Sequence, residues 1–217
     1  MGEAELNKIK NQVIIYSGIF IYGDAASNAL AFDIAKDIAD YWNAANGKVL
    51  IRNAVLDVVF NIESQWTQHL TPEMIFENDN PRNNYFRIES YAGTDISFVD
   101  GVGSNTGYFK LDNLLNNSTT AAHEYGHTIG LHHPPVLDIR GKGTPGIMYP
   151  RGTITDPAYQ YNPAAAPLEP GGTINPFTRK VLQEDIDNLC LHKLDFTRSG
   201  FAILGGFTSI WHDKHVQ

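Results

Sequence analysis

The longest apolar run in the chain, VIIYSGIFIYG at residues 13–23, mixes isoleucine and tyrosine with mild alternation. It is too short to cross a bilayer, and the residues before it include Glu3 and Glu5 where a signal peptide would be basic. The pattern predicts a strand. On that reading the chain either travels without a cleaved signal or is the mature part of something larger. Residues 24–48 switch to helical spacing, with Leu30, Ile34, Ile38 and Trp42 on one stripe, Asp24 or Ser27 as N-cap, and Asn46 and Gly47 as the stop. An amphipathic helix lying on a sheet is expected there.

Residues 48–66 are rich in branched side chains and predict one or two strands, with Asn53 marking a bend. Residues 71–84 read as an irregular connection, followed by short strands at 85–91, 95–101 and 107–114. A helix is expected over 117–129, opened by Asn117 or Ser118 and closed at Gly130. From 134 to 176 proline and glycine dominate, yet aromatic and apolar anchors recur, which predicts an ordered wall of loops. A last helix is expected over 175–194, with Pro176 early and Val181, Leu182, Ile186, Leu189 and Cys190 buried. The tail from 196 to 217 carries an apolar run that could complete the core, cover a cleft or dock on a partner.

Composition narrows the function classes. The 217 residues are 42% hydrophobic and 18% charged, ordinary values for a folded soluble protein. A formal net charge of -8 without a basic run excludes nucleic acid as a main partner. Cys190 is the only cysteine, so no internal disulfide forms.

The chemistry concentrates in HEYGHTIGLHH, residues 123–133, which holds four of the eight histidines. His123 and His127, four apart on a helix, project from one face and can grip one ion. Glu124 beside them can act on a water near that ion without being a ligand, as a general base must. Gly130 lets the chain leave the helix through positive φ, and His133 then turns back as a third ligand, with His132 as its rival. Three neutral histidines leave the fourth position of a tetrahedral Zn²⁺ open, as in a catalytic site.

Together, His123, Glu124, His127, Gly130 and His133, followed by GIMYP at 146–150, resemble the zinc signature and Met-turn of the metzincin metalloproteases. Pro134 after the third histidine is similar to the serralysins, whereas IMYP is similar to the matrix metalloproteases. The resemblance implies an α+β fold. Its sheet would be mostly parallel and twisted, with an N-terminal helix, a zinc-binding helix and a loop-rich C-terminal subdomain ending in a last helix. It implies one catalytic domain over 1–217, divided into an upper part at 1–133 and a lower part at 134–217. Met148 would form an apolar floor beneath the three histidines, and Tyr149 and Pro150 would line the substrate pocket. The activity implied is zinc-dependent endopeptidase action on a protein or peptide substrate, in an extracellular setting, with a protein inhibitor as a further partner.

Departures limit the transfer. The second position after the methionine is Pro150, so no tyrosine ligand is assigned, and neither a cysteine-switch propeptide nor a glycine-aspartate calcium repeat is present in the sequence. Calcium at Asp100, Asp138 or Asp156 is an alternative to ordinary turn chemistry at these aspartates. His69, His192, His212 and His215 show no ligand spacing. The pocket behind the zinc is expected to take an apolar side chain. Two other readings stay open: an effector domain released from a larger polypeptide, and a non-catalytic zinc-binding module. Oligomeric state is not legible.

Overall fold

The computed structural model describes residues 1–116 and 118–216 and shows a mixed α+β fold built on an eight-stranded sheet. The strands are β1 (Gly2–Asn7), β2 (Gln12–Tyr22), β3 (Lys48–Ile51), β4 (Ala54–Trp66), β5 (Asn83–Glu89), β6 (Phe98–Val99), β7 (Thr106–Lys110) and β8 (Phe201–Leu204). The helices are α1 (Asn28–Ala44), α2 (Pro72–Phe76), α3 (Thr120–Thr128) and α4 (Gln183–Asn188). The central strands β4, β2, β5 and β7 run parallel to one another, and antiparallel strands flank them. The apolar run read as a strand is β2, at the centre of the sheet, as parallel strands buried on both faces require.

β2 is long enough to carry two partners end to end on one edge. β1 pairs with its residues 12–16 and β5 with residues 18–22. Asn84, fully buried at the joint, donates to Met1 O (2.8 Å) and Gly18 O (3.2 Å). β8 adds to the outer edge of β1, so part of the unexplained tail completes the sheet. The rest of the tail lies along the sheet, with Trp211 stacked on Tyr22 and His215 on Tyr108.

The first helix forms as its periodicity predicts, and Ser27, not Asp24, caps it by accepting from Leu30 N (3.2 Å). Asp24 is instead drawn to Lys214. Trp42 is fully buried against Phe60 and Tyr125, and its indole N–H donates to Ala122 O (3.1 Å), tying α1 to α3. β3 and β4 form a hairpin through Arg52 and Asn53, both at positive φ (49° and 68°), the geometry that matches strand twist in a two-residue turn.

Three expectations need correction. Residues 71–84 contain the short α2, which Thr71 caps and Pro72 opens. The strand expected over 95–101 is only two residues long. The last helix is α4 alone, six residues, preceded by a 3-10 turn at Pro176–Thr178. The backbone at Lys180 bridges to Gly146, with Lys180 N donating to Pro145 O (3.0 Å), and this pairing wins over helix propensity. Val181, Ile186 and Leu189 are buried as expected, but Cys190 stands at φ 50°, beyond the helix.

Residues 134–176 contain no strand or α-helix, and are held by isolated bridges (Asp138 to Ile154, Gln160 to Ile174) and by buried Ile139, Ile147, Met148 and Ile174. Among the described residues, no helix is long and apolar enough to cross a membrane.

Candidate metal centre

α3 starts where Ser118 Oγ accepts Thr120 N–H (3.1 Å), while Asn117, the other candidate cap, lies outside the described residues. The helix is anchored from below by Tyr125, whose hydroxyl meets Ser17 Oγ at 2.9 Å. It ends at Gly130, φ 106°, and the chain folds back so that Leu131 N reaches Gly126 O (2.9 Å). This reversal delivers His133.

His133 Nε2 lies 3.0 Å from His123 Nε2 and 3.0 Å from His127 Nε2. These three are the group placed to hold a metal ion among the described residues, and His132, the rival ligand, is not in it. The outward nitrogens are fixed by backbone carbonyls. His123 Nδ1 is 2.7 Å from Ile147 O, and His127 Nδ1 is 2.7 Å from Leu131 O. A carbonyl only accepts, so each Nδ1 carries the proton and each Nε2 presents a lone pair. His133 could donate to one of them but not to both. Three converging nitrogens with at most one proton between them fit a cation.

Burial holds the His123 ring well below the ordinary histidine range, with Arg179 adding to the effect, and burial brings His133 down to about 4 and lowers His127. All three are therefore neutral at pH 7, as ligands must be. Ligand separation agrees too, since about 2.1 Å from metal to nitrogen in a tetrahedron spaces ligands by about 3.4 Å.

Glu124 is buried and points into the same cleft, where its carboxylate accepts from the Val99 backbone at the sheet edge. Burial pushes its carboxyl up to about 8, opposed by Arg179 and the Val99 hydrogen bond. In metal-free protein this carboxyl therefore holds a proton that the unfolded chain, at an ordinary value near 4.5, releases. Its contribution to stability falls as pH rises from about 4.5 to about 8, by a few kcal/mol at 1.36 per unit. The depressed histidines act oppositely and only below about pH 6.5. Thermal unfolding of chelator-treated parent and Glu124→Gln between pH 5 and 9 isolates the carboxyl. The glutamine variant should gain on the parent toward pH 9; parallel curves would contradict this placement.

Met148 is buried and packs on Gly126, where a Cβ would overlap its sulfur and lie 3.3 Å from Trp42 Cζ2. The adjacent Ile147 carbonyl meets His123 Nδ1, so the segment at 146–148 aligns that ring. Asp185 holds that turn by accepting from Ile147 N (3.4 Å) while also accepting from Leu182 N (2.8 Å) at the start of α4. Burial raises its carboxyl to about 6. Gly126→Ala is expected to force Met148 aside and cost about 1–3 kcal/mol, read as a lowered Tm, with weakened metal retention. An unchanged Tm would show that the turn yields without cost.

The remaining sequence candidates divide. Pro150 lines the cleft of about 620 Å³ that contains His123, Glu124, His127 and His133, together with Arg151 and Arg179. Tyr149 instead faces a second cavity of about 400 Å³, bounded by Pro134, Met148 and Glu184. Asp100 bonds Thr106 Oγ1 (2.5 Å) and His212 Nε2 (2.8 Å), Asp138 pairs with Arg140, and Asp156 accepts from Gly141 N (2.9 Å). Asp100 thereby ties the tail to the loop before β7, while Asp138 and Asp156 bond within residues 138–156.

Sequence reasoning missed Arg179, Asp185, Gly126 and the Ile147 carbonyl. Gly126 had a visible signal, a glycine inside a helix. Arg179 had none, because it falls within the helix expected over 175–194, which does not form at that position.

No protein-family profile and no curated protein sequence matches the chain. The solved structure of myroilysin aligns with 83% of this chain and 94% of its own length, at 11% identity and a TM-score of 0.38. At that level the likeness carries no argument, and the functional case rests on the site. The fold and site define a mixed α+β chain with a three-histidine centre fitted to a metal ion.

Proposed function

We propose that the protein is a zinc-dependent metalloendopeptidase of metzincin type, one catalytic unit over 1–217 with its cleft between residues 1–133 and 134–217. The observation that carries this is the convergence of three Nε2 atoms, with at most one proton between them, beside the buried Glu124 carboxyl at an open cleft. His123, His127 and His133 would hold the ion. When bound, zinc supplies a Lewis acid that polarises the scissile carbonyl and acidifies water.

The chain's own residues do the rest. Glu124 takes a proton from the attacking water at its carboxylate and passes it to the leaving amine nitrogen. The carbonyls of Ile147 and Leu131 hold the tautomers of His123 and His127. Met148 keeps water from beneath the rings. β6 is the edge strand beside the cleft, and an extended peptide adding to it would be fixed by backbone hydrogen bonds.

The test is hydrolysis of an unstructured protein such as casein by purified chain loaded with one zinc. Cleavage that stops on chelation and returns with zinc is expected. Zinc-loaded protein that cuts no bond in casein would overturn the peptidase reading.

A further inference from the structure

The cleft wall beside Glu124 has little stiffness of its own. β6 is two residues long and stands at the sheet edge, paired with β7 only through Phe98 with Tyr108 and Val99 with Gly107. The turn after it puts Gly101 and Val102 into the cleft and ends at Gly103, φ 87°. On one side Gly103 N donates to His127 O (2.7 Å). A two-residue edge strand and a glycine turn open readily unless other groups hold them.

The C-terminal tail supplies those groups. Gly206 N donates to Gly103 O (2.8 Å), Thr208 N and Ser209 N to Asn105 Oδ1 (2.9 and 3.0 Å), and Ile210 N to Thr106 Oγ1 (3.3 Å). Asn105 and Thr106 are fully buried, so these tail groups stand where water cannot. His212 closes the clasp. Its Nε2 lies 2.8 Å from Oδ1 and 2.9 Å from Oδ2 of Asp100, the residue that follows β6, and its ring meets Phe98 of β6 edge-on at 5.7 Å. Both members of the His212–Asp100 pair are largely buried, and because a carboxylate only accepts, Nε2 is the donor.

His212 is in turn held from the centre of the sheet. Its N–H donates to the Tyr22 hydroxyl of β2 (3.2 Å), and its carbonyl accepts from Arg87 Nη1 of β5 (3.0 Å). Arg87 is anchored by Glu89 (2.7 Å), and His215 N donates to the Tyr108 hydroxyl of β7 (3.2 Å). The tail therefore links the rigid middle of the sheet to the weak strand at its edge.

We infer that His212 is a positioning residue: through Asp100 and Phe98 it sets β6 and the turn at 101–103 to receive the backbone of the substrate peptide. This rests on the peptidase reading, so the test follows the wall and peptide binding, with cleavage measured separately.

The first readout is amide hydrogen exchange of zinc-loaded protein without substrate. The second is the Kd of a fluorescent peptide for the same variants in the Glu124→Gln background. His212→Phe keeps a ring against Phe98 and removes the donor to Asp100, whereas His212→Gln restores a donor without the ring. The phenylalanine variant should exchange about tenfold faster at residues 99–103 with α3 unchanged, and its Kd should rise about tenfold. The glutamine variant should recover most of both. Parent-like exchange at 99–103 overturns the inference, and so does a parent-like Kd. Faster exchange spread evenly over α3 and the central strands also overturns it, because that is general destabilisation. Should the phenylalanine variant fail to fold or load zinc, Asp100→Asn, which weakens the same contact, should move both readouts the same way by less; no movement overturns the inference. A parent that binds the peptide and never cuts it defeats the peptidase reading alone, whereas a parent that binds no peptide defeats this inference too.

Discussion

Glu124→Gln is expected to lower kcat/KM for peptide hydrolysis by about 10²–10⁴-fold while zinc content stays at one per chain. The substitution keeps shape and removes the base. Glutamine can still accept from the Val99 backbone through its amide oxygen, so the local packing of α3 against β6 survives. The variant also no longer carries a carboxyl whose charged form burial disfavours, so it should fold at least as stably as the parent at pH 8. Lost activity together with retained zinc and undiminished Tm is therefore the signature of a chemical role. Activity within a few-fold of the parent would remove Glu124 from the reaction.

His133→Ala should weaken zinc binding by well over 100-fold, taking as a floor the 10–100-fold typical of losing a ligand's outer partner. This ligand offers the cleanest test of the centre. His123 lies inside the core and also engages Ile147 O, so its removal disturbs the turn at 146–148. His133 sits on the exposed return loop after Gly130, where truncation leaves packing intact. His132→Ala is the internal control, because that ring is outside the three-histidine group and its loss should leave zinc affinity unchanged. Competition with a chromophoric chelator measures both. A larger loss from His132→Ala than from His133→Ala would reverse the ligand assignment.

Much of this arrangement was legible in the sequence because it depends on local periodicity. The stripe through Ile34, Ile38 and Trp42 and the continuous apolar run of β2 each identify their element. The spacing of His123, His127 and His133 implies a shared focus once Gly130 is allowed positive φ. The rest depends on pairing between distant segments. β1 is partly polar and β8 is only four residues long, and neither reads as a strand until each is seen to complete the other's hydrogen bonds at the sheet edge. The segment before α4 has an apolar spacing suited to a helix, but its backbone is claimed by residues 145–146, about thirty-five positions earlier. That one long-range pairing carries Arg179 into the cleft wall. The place of Arg179 in the cleft wall was therefore hidden.

The most direct test of the central claim is anomalous diffraction at the zinc edge from crystals of zinc-loaded protein. The account predicts one strong peak about 2.0–2.1 Å from the Nε2 atoms of His123, His127 and His133 together. A peak coordinated elsewhere, or no peak between these rings in protein that carries zinc, would contradict it.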